Sequence, residues 1–302
     1  MEKIPLIIDC DPGVDDAYAI ILANHIQRLD VLAVTTVSGN VDIELTTKNA
    51  LMLTDFLGMT CVVAKGEERP LVKENKMAYS THGSDGIGGA TSLFPPQSAK
   101  KLDQDRALKV LKDTLMNAPQ KVAIAAIGPL TNIALLLKVY PEVKEKIKVI
   151  SIMGGAINHG NVTPCSEFNF HVDPEAASIV LNSGVPIILS GIHLTIKATL
   201  TESDIKIIQN SGTKLSKIVV QMIGAYTSKD TAFHDPCAIL ALSHPELFKG
   251  EDLHVQVDTR EGITRGMSYA EYRRKHQKKS NCHVLNEIDL EAFRKMMVGC
   301  FS

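Results

Sequence analysis

Asp9, Asp11, Asp15 and Asp16 fall within eight residues, on either side of a Pro12-Gly13 turn, in the stretch IIDCDPGVDDAYAIILA. Carboxylates at that density repel one another unless some hold protons or a cation sits among them. A helix N-terminus attracts acids through its dipole, which accounts for Asp15 and Asp16 but leaves Asp9 and Asp11 unexplained. The chemistry this spacing favours is a metal site. Further polar groups recur along the chain: Ser38-Gly39-Asn40, His82 in a glycine-rich run to Gly89, Ile127-Gly128-Pro129, Met153-Gly154-Gly155, then Asn161, Glu167 and Asn169, and Phe233-His234-Asp235-Pro236. Several have plainer uses, Asn40 as a turn residue and His234-Asp235 as a helix N-cap pair among them. As a set they are carboxylates, amides and a few histidines, which suits a hard cation such as Ca²⁺ or Mg²⁺. Amides and a glutamate that can chelate a polyhydroxyl point to a sugar. A water activated beside a carboxylate can attack an anomeric carbon, while histidine protonates a nitrogenous leaving group near neutral pH.

Such groups must be held by elements that the chain specifies. Apolar, β-branched runs predict strands at Ile4–Asp9, Val31–Val37, Cys61–Ala64, Val122–Ile127, Val149–Met153 and Pro186–Leu189. Amphipathic stretches predict helices at Asp15–His25, Ile43–Leu57, Asp105–Met116, Asn132–Val139 and Pro174–Asn182, the last opened by Asp173 as N-cap. The alternation argues for an α/β fold: an open, mostly parallel twisted sheet flanked by helices. The acids then crowd a strand-to-helix turn, where such sheets keep their ligands. If the first strand runs far enough, Asp9 and Asp11 point the same way from its end. Beyond residue 200 helices dominate, at Glu202–Asn210, Lys214–Ser228 and after Asp235-Pro236. Leu253–Val257 and His283–Leu285 read as a late pair of strands, and Ile288–Val298 as a closing helix. No linker composition separates the halves, so residues 1–302 are expected to form one domain. The long, weakly patterned segment Lys73–Ser98 reads as a lid or binding loop.

With a net charge of −2, 45% hydrophobic residues and 22% charged residues, the chain has the balance of a globular protein with no global field for nucleic acid or an anionic membrane. The one basic cluster, Arg273, Arg274, Lys275, Lys278 and Lys279, reads as a solvated face. No signal peptide or membrane span is evident. Six cysteines without CxxC or framework spacing suit reduced thiols and a cytoplasmic protein rather than a zinc site or a disulfide scaffold.

DCDPGVDDAYAI, followed in order by TTVSGN, HGSDGIGG, AIGPLTNIAL, IMGGA, GNVTPCSEFNFHVDPEAA and FHDPCAI, resembles the inosine-uridine-preferring nucleoside hydrolases over residues 9 to about 240, with GITRGMSY extending the likeness toward the end. The resemblance implies Ca²⁺-dependent hydrolysis of the N-glycosidic bond of ribonucleosides, in a homotetramer. It implies that Asp11, Asp16, Asp235 and the main-chain carbonyl of Ile127 hold the Ca²⁺, and that Asp11 is general base on the attacking water. Asp15, Asn40, Asn161, Glu167 and Asn169 would grip ribose hydroxyls, with Met153 against the sugar and Asp9 supporting the acids from behind. His234 would protonate the departing base or assist that step; His82 and Tyr226 would lie on the base side. The purine-specific branch of this family resembles a design that stacks the base on tryptophans, and this chain has none, which favours pyrimidine or broad nucleoside use. Two alternatives remain at this point. A haloacid-dehalogenase-like phosphatase also begins with a strand-end DxD, and a non-catalytic nucleoside-binding protein can share the scaffold.

Overall fold

β1 (Ile4–Cys10) is buried along its whole length, and its side chains alternate between two hydrophobic cores. Leu6, Ile8 and Cys10 join one core and Ile7 the other, as the two-residue period of a strand requires. Each such aliphatic side chain taken from water contributes about 1.5–3 kcal/mol. A central strand of a sheet covered on both faces has this pattern. The computed structural model describes residues 3–95, 98–226, 228, 230–273 and 278–301.

After β1 come α1 (Val14–His25), β2 (Leu29–Thr36), α2 (Ile43–Phe56), β3 (Val62–Lys65), the short α3 (Tyr79–His82), α4 (Ala107–Asn117), β4 (Val122–Ala126), α5 (Thr131–Val139) and β5 (Ile147–Met153). Next are α6 (Phe168–Val172), α7 (Pro174–Leu181), β6 (Ile187–Ser190), α8 (Ile192–Thr195), α9 (Glu202–Asn210), α10 (Lys214–Tyr226) and α11 (Pro236–Ser243). The chain closes with β7 (Phe248–Leu253), β8 (Val255–Val257), β9 (Ser268–Ala270), β10 (Cys282–Ile288) and α12 (Leu290–Gly299). Among the described residues the main sheet has eight strands in the order β3-β2-β1-β4-β5-β6-β10-β7. All its pairings are parallel except that of β10 with β7. The expected mostly parallel sheet is therefore present, and the predicted strands and helices of the first 200 residues lie within a few residues of the observed ones.

Strand order reverses beside β1, whose neighbours are β2 and β4. A crevice opens at the carboxyl ends of strands at such a switch point. Hydrogen bonds continue just past those ends: Val37 N–H donates to Cys10 O at 2.9 Å, and Ile127 N–H to Asp9 O at 2.8 Å. Asp11 thus leaves the sheet between two strands that are still paired to its predecessors.

Two expectations change, and a third gains detail. β1 stops at Cys10, so strand alternation does not carry Asp11. The Asp9 carboxylate instead takes Thr35 and Asn132 as partners, while that of Asp11 takes the Asn40 N–H. The predicted strand Leu253–Val257 is split, its first residue ending β7 in the main sheet and Val255–Val257 pairing with β9 in a separate ribbon. The split has a local cause: the Asn281 side chain replaces a main-chain partner at Val255, accepting from its N–H and donating to its carbonyl, each at 2.8 Å. Finally, Lys73–Ser98 contains α3 and a 3₁₀ turn at Ala90–Leu93, knit by Asp85, which accepts from Ile87, Gly89 and Thr91. Of the basic cluster, Arg274 and Lys275 lie outside the described residues. Arg273 holds Glu271. No described helix is long and apolar enough to cross a membrane.

Candidate active site

The acids meet at the end of β1. Asp16, in the first turn of α1, folds its carboxylate back over the turn: Oδ1 accepts from Asp11 N–H at 3.1 Å and Oδ2 from Gly13 N–H at 2.9 Å. Asn40, from the loop after β2, locks the same group by donating its N–H to Asp11 Oδ2 at 2.7 Å and its amide to both Asp11 O (3.1 Å) and Asp16 Oδ2 (3.0 Å). Asp235 arrives from the start of α11, ahead of Pro236 at the first helical position. Carboxylate oxygens of Asp15, Asp16 and Asp235 all lie within 4.8 Å of one another, and all three residues are buried. The Asp11 carboxylate is enclosed by two glycines. A Cβ on Gly39 would stand 2.1 Å from its Oδ2 and one on Gly128 would stand 2.6 Å from its Oδ1. Any larger residue at either position collides with this group.

Burial, then mutual repulsion, governs the charge. Asp11 is driven well above the usual carboxylate range by burial and next by Asp16. Asp235 is driven there by burial and then by Asp15, Asp16 and Asp11. Asp15 is pushed up to about 7 by burial and Asp16, and burial also raises Asp16. A protein interior does not hold four such anions unaided; protons or a cation must compensate. The donor set fits a hard divalent cation, being all oxygen, and Asp15 Oδ1 is a buried acceptor without a hydrogen-bond partner. Of the expected ligands, Asp16 and Asp235 stand in the close trio and Asp11 beside it. Asp15, expected on the sugar, occupies the third place. The Ile127 carbonyl accepts from the Asn169 amide at 2.9 Å.

Above the acids lies a cavity of about 500 Å³. Its wall includes Asp15, Asn40, His82, Ile127, Met153, Asn161, Glu167, Asn169, Tyr226, His234 and Asp235, so the fold brings these expected residues together, with Asp11 and Asp16 behind the wall. Asn169 ties the ends of β4 and β5 by donating to Ile127 O and Met153 O. Glu167 caps α6: its two oxygens accept from the N–H groups of Asn169, Gly155 and Phe170. The Asn161 side chain accepts from Phe168 N–H at 3.0 Å, securing the loop above.

Two histidines face the cavity in opposite electrostatic states. His82 is buried, its Nδ1 accepts from Val14 N–H at 3.2 Å, and its ring lies 5.5 Å from that of Tyr226. Burial, reinforced by His234, lowers its pKa to about 4. Burial also opposes charge on His234, but the carboxylates of Asp230 and Asp15 outweigh it and raise its pKa above the ordinary value. Divergent values of this kind mark a division between a neutral group and a proton donor. Sequence reasoning missed Asp230 and Thr195, which hold the two nitrogens of His234. It also missed Lys76, Met77 and Val162 on the cavity wall. Asp230 sits four residues before His234, and nothing in KDTAFHD marks it as different from a loop acid.

The family model of the inosine-uridine preferring nucleoside hydrolases matches residues 6–295. The chain belongs to this family. As a nucleoside hydrolase it is an N-glycosyl hydrolase, which removes the phosphatase alternative. Among curated proteins it is similar to the pyrimidine-specific ribonucleoside hydrolase RihA of Citrobacter koseri, at 38% identity over 96% of this chain and 95% of that one. RihA of Escherichia coli K12 is likewise 38% identical, over 96% of each chain. Among solved structures this hydrolase resembles the purine-preferring ribonucleoside hydrolase of Gardnerella vaginalis, with a TM-score of 0.91 and 31% identity over 98% of both chains. It resembles the plant nucleoside hydrolase PpNRh1 equally, with a TM-score of 0.91 and 31% identity over 99% and 98%.

Proposed function

We propose that this nucleoside hydrolase cleaves the N-glycosidic bond of ribonucleosides to free base and ribose, with pyrimidine or broad base use and Ca²⁺ as its cation. The observation that carries the reading is the buried acid cluster beneath a cavity walled by amides, a glutamate and two histidines of opposite charge preference. Pyrimidine use is supported by the absence of tryptophan and by the RihA relatives. Broad use is supported by similarity to a purine-preferring enzyme of the same shape.

In this reading Asp11, Asp16, Asp235 and the Ile127 carbonyl hold Ca²⁺, which when bound supplies charge neutralisation and Lewis acidity toward water and sugar hydroxyls. Asp11 takes a proton from the attacking water at Oδ1, the oxygen left free when Asn40 N–H occupies Oδ2. Asp15, Asn40, Asn161, Glu167 and Asn169 orient ribose hydroxyls, and Met153 packs against the ring. The carboxylates also favour the positive charge that develops on the sugar as the glycosidic bond breaks. His234 delivers a proton to the departing base, while neutral His82 and Tyr226 border it. The reading includes one domain, since β10 and β7 from the last fifth of the chain extend the sheet begun by β1. It also includes a homotetramer by family likeness and a cytoplasmic setting. The unpaired state of the cysteines supports the latter.

Release of reducing sugar from inosine, adenosine, uridine and cytidine, with and without a chelator, tests this. Release that disappears on chelation and returns with Ca²⁺ is expected. Nucleoside binding without turnover would establish the non-catalytic alternative instead.

A further inference from the structure

One carboxylate in the cavity has no task in the scheme above. Asp230 lines the wall with its side chain 30% exposed, and its Oδ2 lies 3.1 Å from His234 Nε2. On the other side of the ring, Nδ1 lies 2.8 Å from the hydroxyl of Thr195, which is fully buried and lies outside the cavity wall. The two contacts fix the plane of the imidazole and turn its Nε2 edge, not its Nδ1 edge, toward the cavity. Asp230 is itself held. Its N–H donates to Tyr226 O at 2.9 Å, and its Oδ1 accepts from Ala232 N–H at 3.0 Å. Hydrogen bonds thus link Tyr226 at the end of α10, the Asp230 carboxylate and His234. A carboxylate hydrogen-bonded to a ring nitrogen fixes the orientation of a histidine, and here it lies on the nitrogen that faces the cavity.

We propose that Asp230 is a positioning residue for N-glycosidic hydrolysis: by accepting from the Nε2–H of His234, its carboxylate keeps that edge of the ring at the cavity until the leaving base takes its place, with Thr195 securing the opposite nitrogen. The proposal rests on the reading of His234 as proton donor. In the step itself the C1′–N bond breaks and its electron pair passes to the base, water oxygen bonds C1′ as its proton goes to Asp11, and the Nε2 proton of the His234 imidazolium forms the new N–H bond on the base, leaving a neutral imidazole. The base nitrogen and Asp230 Oδ2 compete for the same hydrogen, so Asp230 acts by aiming the donor before transfer and touches no reacting atom.

The test measures kcat and KM with Ca²⁺ present, for uridine and for 4-nitrophenyl riboside, whose leaving group departs without a proton. Wild type, Asp230→Ala, Asp230→Asn, His234→Ala and the double alanine variant are compared. Asp230→Ala is expected to lower kcat on uridine by roughly 10- to 100-fold, below the roughly 10²- to 10⁴-fold of general acid catalysis as a whole because the donor itself remains, with a much smaller loss on the nitrophenyl substrate and little change in KM. Asp230→Asn, whose amide oxygen still accepts from Nε2–H, recovers part of the loss. In the His234→Ala background the Asp230→Ala change adds nothing, because an effect transmitted through His234 is not additive with its removal. Equal losses on the two substrates, or a full additional loss in the double variant, overturn the proposal. If His234→Ala alone loses equally on both substrates, the proton-donor reading fails and the proposal falls with it. A His234 effect selective for uridine with an additive Asp230 effect refutes the Asp230 assignment alone.

Discussion

At the scale of single residues, His82 shows how burial sets charge. Its pKa is lowered to about 4 by burial and then by the neighbouring His234. Between the ordinary value of 6.5 and about 4 the unfolded chain binds a proton there that the folded chain rejects. The stability due to neutral His82 is complete above that window and declines as pH falls through it. Metal-free wild type is therefore expected to lose about 2 kcal/mol more than His82→Gln between pH 7 and pH 5, each pKa unit being worth about 1.4 kcal/mol. Denaturant midpoints of the two proteins at both pH values decide it, and parallel curves would remove the argument. A second expectation concerns Asp11. Asp11→Asn keeps the shape of the group but removes the base, so kcat should fall by roughly 10²- to 10⁴-fold on uridine. It should fall comparably on nitrophenyl riboside, whose attacking water needs the same activation; undiminished turnover would sink the general-base assignment. The acids Asp11, Asp15 and Asp16 are legible in the sequence because they share one turn, whereas Asp235 is legible as a site residue only through the family resemblance, its own surroundings leaving it open as an N-cap. Thr195 and Asp230 are not legible, since their value lies in a ring that only the fold brings to them. The closeness of Gly39 and Gly128 to the Asp11 carboxylate is visible only in three dimensions.

Among the elements, Asp173 does the joining that the sequence foretold only in part. Its N-cap role on α7 was expected, and Oδ1 accepts from Ala176 N–H at 2.9 Å. The other oxygen reaches further, to the Thr131 hydroxyl at the start of α5 (2.7 Å) and to Leu71 N–H at the root of the long loop (2.9 Å). Asp173→Ala leaves these three groups without their partner and is expected to cost about 3 kcal/mol or more, each loss being about 1–3 kcal/mol. Urea unfolding should show that cost with and without Ca²⁺, because Asp173 is absent from the cavity wall; a loss under about 1 kcal/mol would contradict it. Elements of the first 200 residues could be read because buried strands and amphipathic helices alternate there. The late strands were misjoined because Leu253–Val257 is one continuous pattern in sequence. The change of sheet within it depends on the side-chain amide of Asn281, more than twenty residues away.

For the whole molecule, the cation and the fold are linked. Asp11 and Asp235 lie well above the usual carboxylate range and Asp15 is near 7, in each case first because of burial. The metal-free protein thus carries protons in its acid cluster at neutral pH, and a cation binding there, Ca²⁺ in the proposed reading, would displace them. Calorimetry of Ca²⁺ binding in buffers of different ionisation enthalpy is expected to report net proton release, larger at pH 6 than at pH 8, where Asp15 is already ionised. Release that is absent at both would contradict the assigned site. At a hundredfold excess over its Kd the ion should stabilise the protein by about 2.7 kcal/mol, read as a rise in unfolding temperature. The sheet adds a constraint of another kind. β10, the final strand, lies between β6 and β7, and β7 has no other partner in the sheet among the described residues. A ribosome making the chain from its N-terminus delivers β7 before the strand that attaches it exists. Until then one side of β6 and the whole of β7 present unpaired backbone, the template on which strands of separate chains associate. Products of interrupted translation ending between β7 and β10 therefore carry the sheet from β3 to β6 together with an unpaired edge, and they should aggregate more readily than a chain that includes β10.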